Sequence, residues 1–341
     1  MKPTSQKSGT SPSAALHTSW RHIWSISWPI FLANVTIPLV GAVDTAMMGR
    51  LPDPAFIGGV ALGSLVFNFL YFGLGFLRMC TTGLVAQAQG RRDFAEIESL
   101  LIRGVIIAFA FGVVTIAAAP IIHWISAVFL TASDRVEDLM QAYVDIRLFA
   151  APAAFANMVL LGCLFGRQQM RLCMVQILVV NLGNLMLNYL FVVGFGMQIE
   201  GVALASVVAQ WAGFVFTMGL ISWQWRDILR GILGRLFARR PAWLDLPAFG
   251  QFFTIGFDLV LRTMMLIGCE AIFLNSAALN GDMELAAAQL ILVMVSIFAF
   301  GLDGYAHAAE ALVGEAVGRK DRDMLRLVVH RTTWMAFGSS L

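Results

Sequence analysis

The segments LVAQAQGRRD (residues 84–93) and LVGEAVGRKD (residues 312–321) are two copies of one short sequence, 228 positions apart. They match at six of ten positions, and each follows a long apolar run and precedes another. A repeat of this period between apolar runs is typical of a duplicated helical transporter, in which two halves share one scaffold. Only 20 residues follow the second copy, so we expect the second half to be incomplete.

The composition is that of a protein embedded in a lipid bilayer. The chain is 59% hydrophobic and 13% charged, and its mean hydropathy is +0.77. Soluble globular proteins do not reach these values, whereas polytopic helical membrane proteins do. We therefore predict an all-α polytopic membrane protein with no nucleic-acid partner. The four cysteines lie in or beside apolar runs without metal-ligand spacing and are predicted to be small apolar residues.

The apolar runs predict the membrane spans and their orientation. A span across about 30 Å of hydrocarbon needs about 20 residues. Eight such runs are present and a ninth begins near residue 324, the eight lying near 23–48, 56–87, 99–122, 142–164, 173–195, 201–223, 250–279 and 286–314. The loops after the even-numbered spans carry most of the basic residues, among them Arg91, Arg92, Arg167, Arg171, Arg319 and Lys320. By the positive-inside rule, the N-terminus and these loops face the cytoplasm.

Four segments follow from this pattern. Residues 1–20 are polar and predicted to be a disordered cytoplasmic N-terminus. Residues 21–223 form an N-lobe of six transmembrane helices, and residues 224–249 form a basic cytoplasmic linker. Residues 250–341 form an incomplete C-lobe, with helices seven and eight and the start of nine. An even number of spans in a half gives both copies the same orientation, related by an axis along the membrane normal.

Asp44 is the most informative charged residue inside a predicted span. It lies late in the first span, with no basic residue three or four positions away. Pro29 and Pro38 in the same span are expected to kink the helix and free backbone carbonyls. A carboxylate at this depth needs a functional or structural reason, and proton coupling is one. The alternative is a hydrated carboxylate near the outer interface, because Arg50 is close.

Asparagines form a second polar feature of the first half. Asn181, Asn184 and Asn188 are spaced i, i+3 and i+7 and share one face of the fifth span. Such a stripe lines a wet cavity or bonds neighbouring helices. Asn34 and Asn157 are weaker candidates for the same cavity.

The seventh and eighth spans carry their own ionisable residues. Asp258 and Arg262 are spaced i, i+4 and predicted to form a structural ion pair, whereas Glu270 lacks such a partner and is a candidate second protonatable group. Asp303, His307 and Glu310 share one face of the eighth span. We predict a polar network facing a central cavity, with interhelical bonding as the alternative. A metal site is not expected from one histidine.

Two arginines lie within the first-half spans. Arg78 and Arg147 are expected to pair with carboxylates or to extend their guanidinium groups towards the membrane interface.

The motifs for nucleotide hydrolysis and hydrolytic catalysis do not occur in the sequence. It contains no Walker-type phosphate loop, no GxSxG and no HExxH. A membrane enzyme would need a nucleophile with its base, or a metal cluster, and neither is found. We therefore predict secondary transport driven by an ion gradient, with no cofactor other than the coupling ion.

Several motifs resemble the multidrug and toxic compound extrusion (MATE) family, and within it the DinF branch. They are VDTAMMGRL around Asp44, QAQGRRD after the second span, RLFAAPAAF at 147–155, residues 183–210, and LDGYAHAAEALVGEAVG at 302–318. The resemblance runs from about residue 21 to the end of the chain. It implies twelve helices in two six-helix lobes that open alternately to each side. Here the N-lobe is complete and the C-lobe partial.

The resemblance also implies a function. The family exports cationic or amphipathic small molecules in exchange for protons or sodium, and its first-helix aspartate matches Asp44, whose protonation is thought to bend the helix. Many relatives carry an aspartate where this chain has Asn188, an amide that cannot take up a proton. The expected setting is the bacterial inner membrane, with a monomeric chain. The alternatives are a lipid-linked oligosaccharide flippase of the same superfamily and an inactive truncated transporter.

Overall fold

The structure is a computed structural model that describes residues 19–34, 36–49, 53–130, 132–225, 246–280 and 282–339. Within these ranges the regular structure is entirely helical. The helices, numbered α1 to α13, are Trp20–Asn34, Thr36–Met48, Ala55–Leu74, Phe76–Arg91, Phe94–Ala117, Ala119–Phe129, Asp134–Leu148, Ala151–Gly166, Met170–Asn188, Ile199–Gln224, Leu246–Asn280, Asp282–Arg319 and Arg322–Ser339. The predicted all-α fold class is confirmed.

Several of these helices have the length and hydropathy of membrane spans. In the described part of the chain, four qualify: Ala55–Arg91, Phe94–Ala117, Met170–Gly194 and Ile199–Gln224. Helices α7 and α8 meet at a bend of 56° and together have the length and hydropathy of a fifth span, either broken or re-entrant. The runs predicted near 23–48, 250–279 and 286–314 are also helical. The total of nine crossings stays a prediction.

Helix α1 contains a proline, and helix α9 ends in a π-helical turn. Pro29 lies inside α1, where it is buried. Helix α9 continues into a π-helical turn, Tyr189–Gly194. Such turns are frequent at functional sites, and this one begins directly after Asn188.

The two repeat copies adopt the same local structure. Arg92 and Lys320 are equivalent positions, and both are left-handed, with φ of 58° and 57°. The next residues, Asp93 and Asp321, cap the following helices: their Oδ1 atoms accept the backbone N–H of Glu96 at 3.0 Å and of Met324 at 2.9 Å. The repeat is therefore a helix, a left-handed cap and an aspartate-capped helix, built twice.

The two copies also pack against each other, because α4 lies along α12. A Cβ on Gly90 would collide with the Glu315 carbonyl oxygen, and a Cβ on Gly318 would collide with the Gln87 carbonyl oxygen. Since residues 87 and 90 correspond to 315 and 318, each contact is the image of the other. Such reciprocal contact is the mark of a two-fold relation, so a pseudo-two-fold axis passes between these helix ends.

Polar contacts and a shared core fasten the same helix ends. Glu315 is buried, accepts a hydrogen bond from Gln168 Nε2 and pairs with Arg319. The larger hydrophobic cluster includes Leu77, Phe155 and Leu312, from α4, α8 and α12. A second cluster holds Met48, Phe67, Tyr143 and other side chains of α2, α3, α7 and α10.

Two predicted segments lie largely outside the described residues. The N-terminal segment 1–20 is described only at its last two residues, and the linker 224–249 only at its ends. The lobe boundaries at 21–223 and 250–341 stay predictions.

We predict that Gly318→Ala destabilises the protein, because the new methyl group would push α12 away from the Gln87 carbonyl. Overpacking of this kind costs about 1–3 kcal/mol. The measurement is the thermal midpoint of the purified chain in detergent, followed by size-exclusion chromatography. Gly268→Ala is the matched control, since a Cβ there meets nothing within 4 Å. Equal midpoints for the two variants would contradict the close contact.

Candidate functional site

A chain of buried polar side chains joins the first, fifth and sixth predicted spans. Asp44 on α2 is 5% exposed and accepts a hydrogen bond from Asn188 Nδ2. The same amide nitrogen bonds Asn184 Oδ1 at 3.1 Å, and Asn184 Nδ2 bonds Ser206 Oγ on α10 at 3.0 Å. The predicted stripe on α9 therefore meets Asp44 directly.

The third asparagine of the stripe bonds the start of the same helix as Asp44. Asn181 Nδ2 donates to Thr36 Oγ1 at 2.7 Å, and Thr36 in turn donates to the Ala33 carbonyl at 2.6 Å. Asn34, on α1, is buried too. The fifth span thus contacts the first span at two levels.

An arginine on α7 faces the same region from the other side. Arg147 Nη1 donates to the Tyr143 hydroxyl and, at 3.4 Å, to Ser64 Oγ on α3. Its guanidinium lies 4.8 Å from the centroid of the Phe67 ring. Arg147 also interacts electrostatically with Asp44. We call the set Asp44, Ser64, Tyr143, Arg147, Asn184 and Asn188 the Asp44 site.

A glycine explains how Tyr143 reaches this position. A Cβ on Gly63 would collide with the Tyr143 ring, so only glycine lets the ring lie flat against α3. The Tyr143 ring is fully buried, and its hydroxyl lies 3.3 Å from Ser64 Oγ. Sequence reasoning identified Arg147 as needing a partner but missed Tyr143 and Ser64. Tyr143 and Ser64 join this site through contacts between distant spans, and the local sequence carries no signal for such contacts.

Asn157 belongs to a different network, in the fourth span. Its Nδ2 donates to both the backbone oxygen and Oε1 of Gln210, each at 2.9 Å, and Gln176 Nε2 donates to the Asn157 backbone oxygen at 3.2 Å. Asn157 is 5% exposed. The side chain therefore bonds neighbouring helices, the second of the two roles expected for buried asparagines. Gln176 and Gln210 were not singled out from the sequence.

The eighth-span cluster is brought against the second and fourth spans. Arg78 Nη1 on α4 lies 3.2 Å from His307 Nδ1 and 3.5 Å from Glu310 Oε2. Phe165 on α8 packs on the His307 ring, with centroids 4.7 Å apart. Asp303 is half-buried on the same face. The pairing expected for Arg78 is confirmed, and the cluster links the predicted lobes.

The seventh-span residues do not join either cluster. Asp258, Arg262 and Glu270 are all exposed on the surface of α11. The predicted ion pair between Asp258 and Arg262 is wrong for this structure: these two described side chains form no ion pair. The physical reason is that an exposed i, i+4 pair gains only about 0.2–0.5 kcal/mol, too little to hold two long side chains together.

Among the described residues, no group of three or more histidine, cysteine or acidic side chains could hold a metal ion.

We predict that Asn157→Ala lowers stability by about 1–3 kcal/mol, because it removes the amide that bonds the backbone oxygen and Oε1 of Gln210, while Gln176 keeps its bond to the backbone oxygen of residue 157. The thermal midpoint in detergent measures this. Asn181→Ala is the matched control and should cost less, since Thr36 keeps its bond to the Ala33 carbonyl. If Asn157→Ala changed ligand binding but left the midpoint unchanged, Asn157 would line a cavity instead.

Comparison with known proteins assigns the chain to a family. The MatE family model matches residues 29–190 and 259–341. The chain is 34% identical to DNA damage-inducible protein F of Escherichia coli (strain K12) over 314 residues, covering 92% of this chain and 67% of that protein. It is 28% identical to a probable multidrug resistance protein NorM of Rhizobium meliloti (strain 1021), of which it spans 65%, and 26% identical to multidrug and toxin extrusion protein 1 of Danio rerio, of which it spans 50%.

Solved structures show the same fold. A multidrug resistance MATE family transporter of the MOP superfamily in an outward-facing conformation superposes with a TM-score of 0.78 at 20% identity, over 96% of this chain and 72% of that one. A MATE structure in complex with MaD5 gives 0.80 at 19% identity, over 96% and 74%. The chain belongs to the MatE family of multidrug and toxin efflux transporters, a family of transporters rather than of enzymes.

Proposed function

We propose that this protein is a secondary active exporter that moves cationic or amphipathic small molecules in exchange for protons. The observation that carries the proposal is Asp44, a buried carboxylate of the first span that accepts a hydrogen bond from Asn188. A charged group buried at this depth is costly unless it serves a function. Protonation would remove the charge that a cationic substrate requires, so proton and substrate compete for one site.

The helix that bonds Asp44 supports alternating access. Helix α9 changes to a π-helical turn directly after Asn188. A change in the bond between Asp44 and Asn188 therefore acts where α9 is irregular, and irregular segments absorb backbone rearrangement more readily than continuous helix.

Sodium is the second candidate coupling ion. The amide oxygens of Asn184 and Asn188 and the carboxylate of Asp44 are hard oxygen donors, the type that alkali and alkaline-earth cations prefer. Asn188 Oδ1 is buried and has no hydrogen-bond partner among the described residues. The site has amides beside its single carboxylate, whereas a second carboxylate would favour proton coupling more strongly.

The proposed setting is the bacterial cytoplasmic membrane, with the N-terminus and the basic even-numbered loops in the cytoplasm. The partners are small organic molecules and the lipid bilayer, and the chain acts as a monomer. A flippase for a pyrophosphate-linked lipid would need a cationic cavity, but Arg147 is balanced by Asp44. Because the chain spans between 50% and 67% of three relatives, an inactive fragment remains the alternative to transport.

We predict that Asp44→Asn abolishes proton-coupled export. In everted vesicles containing the chain, addition of tetraphenylphosphonium should collapse part of an imposed pH gradient, read from a pH-sensitive dye, and the variant should show no response. Asp145→Asn is the matched control, since Asp145 is an exposed carboxylate bonded to His123 at 2.7 Å. An intact response in Asp44→Asn would overturn the coupling role. No response from the unmodified chain would favour the inactive fragment.

A further inference from the structure

We propose that Arg147 is a fixed counter-charge that determines which sign of substrate charge the Asp44 site accepts. The inference deepens the proposed function and rests on the Asp44 site being the substrate site. It assigns a specificity-determining role to a side chain on α7, a helix that carries none of the predicted coupling residues.

Arg147 is held in place by contacts on three sides. Tyr143 and Ser64 accept hydrogen bonds from its Nη1, and the Phe67 ring lies under its guanidinium. Tyr71 on α3 is a further interaction partner. Gly63 leaves room for the Tyr143 ring to pack closely against α3. An arginine anchored in this way is a permanent charge of defined position, because guanidinium does not lose its proton in proteins.

The packing brings this charge close to Asp44. Met48 lies one helical turn after Asp44 on α2 and is buried in the same hydrophobic cluster as Phe67 and Tyr143. Helix α2 packs on α3, and α3 packs along α7. Asp44 and Arg147 therefore lie beside the same hydrophobic cluster and interact electrostatically.

Arg147 also keeps unused binding capacity. Its side chain is only half-buried, and its Nε–H is buried without a hydrogen-bond partner in the described part of the chain. A guanidinium that was fully committed to a structural network would have all its buried donors bonded. The spare donor and the partial exposure fit a group that meets a ligand.

The charge balance of the site follows from its members. Asp44 is bonded by a neutral amide of α9 and interacts with one cation, Arg147, whose own neighbours are the phenols of Tyr71 and Tyr143 and the hydroxyl of Ser64. With Asp44 ionised the site is neutral overall, and with Asp44 protonated it carries one positive charge. A cationic ligand is then tolerated only in the ionised form, so each proton bound at Asp44 expels a cation. Without Arg147 the protonated site would be neutral and would not repel the cation.

The test compares two hydrophobic ions of the same shape and opposite charge, tetraphenylphosphonium and tetraphenylborate. Equilibrium binding to the purified chain in lipid nanodiscs gives their ratio of affinities. A unit charge about 8 Å away at an effective dielectric constant of about 20 changes affinity by about ten- to thirty-fold. Arg147→Gln should therefore shift the ratio about tenfold or more towards the cation, and Asp44→Asn should shift it towards the anion. Arg147→Lys should stay near the unmodified ratio.

The double variant Asp44→Asn with Arg147→Gln removes both charges and should return the ratio close to that of the unmodified chain, as expected for a coupled pair. Arg135→Gln is the control, an exposed arginine on the same helix that pairs with Asp53 at 3.7 Å, and should leave the ratio unchanged. A loss of both affinities in Arg147→Gln, without a change in their ratio, would mean a structural role and overturn the proposal.

The outcome is independent of transport. If the ratio shifts as expected but vesicles show no pH response, the proposed export fails and the charge assignment stands. If vesicles respond to tetraphenylphosphonium and the ratio does not move in Arg147→Gln, the export proposal stands and the role of Arg147 is overturned.

Discussion

The arrangement of this protein depends on one constraint, the cost of an unpartnered polar group in a medium without water. Asp44 meets that constraint through Asn188, and Asn188 meets it through Asn184, which in turn bonds Ser206. Asn188 lies on a different predicted span from Asp44. Asn184 lies one turn from Asn188 on the same helix, and Ser206 lies on a third predicted span. The requirement to satisfy a single carboxylate thereby fixes the relative position of three spans.

Close backbone contact is the second source of order. In a bilayer, helices associate through small residues that let their backbones approach, because lipid is as apolar as leucine. Gly90 and Gly318 serve this purpose at equivalent places in the two repeat copies. The copies share this scaffold and differ in chemistry: the residue equivalent to Gln87 is the buried Glu315, which adds an ion pair and a bond to Gln168. Duplication kept the geometry and changed the charges.

The family assignment and the site complement each other. The chain belongs to the MatE family, and the Asp44 site is described by its own contacts. One carboxylate, two amides and one arginine form a site whose net charge changes by one unit with a single proton. The Arg78, His307 and Glu310 cluster lies elsewhere, between the second and eighth spans, where it fastens the predicted lobes together.

The sequence by itself determined the fold class, the repeat and most of the polar residues that matter. Hydropathy and periodicity are local properties, so the helices, Asp44 and the asparagine stripe could be read from the order of residues. Only the tertiary structure decided which of these residues meet. Asn188 rather than a basic residue bonds Asp44, Asn157 turns to Gln210, and Asp258 and Arg262 remain apart. Contacts between residues on different helices depend on how the helices pack, and packing is decided by the whole set of side chains at once.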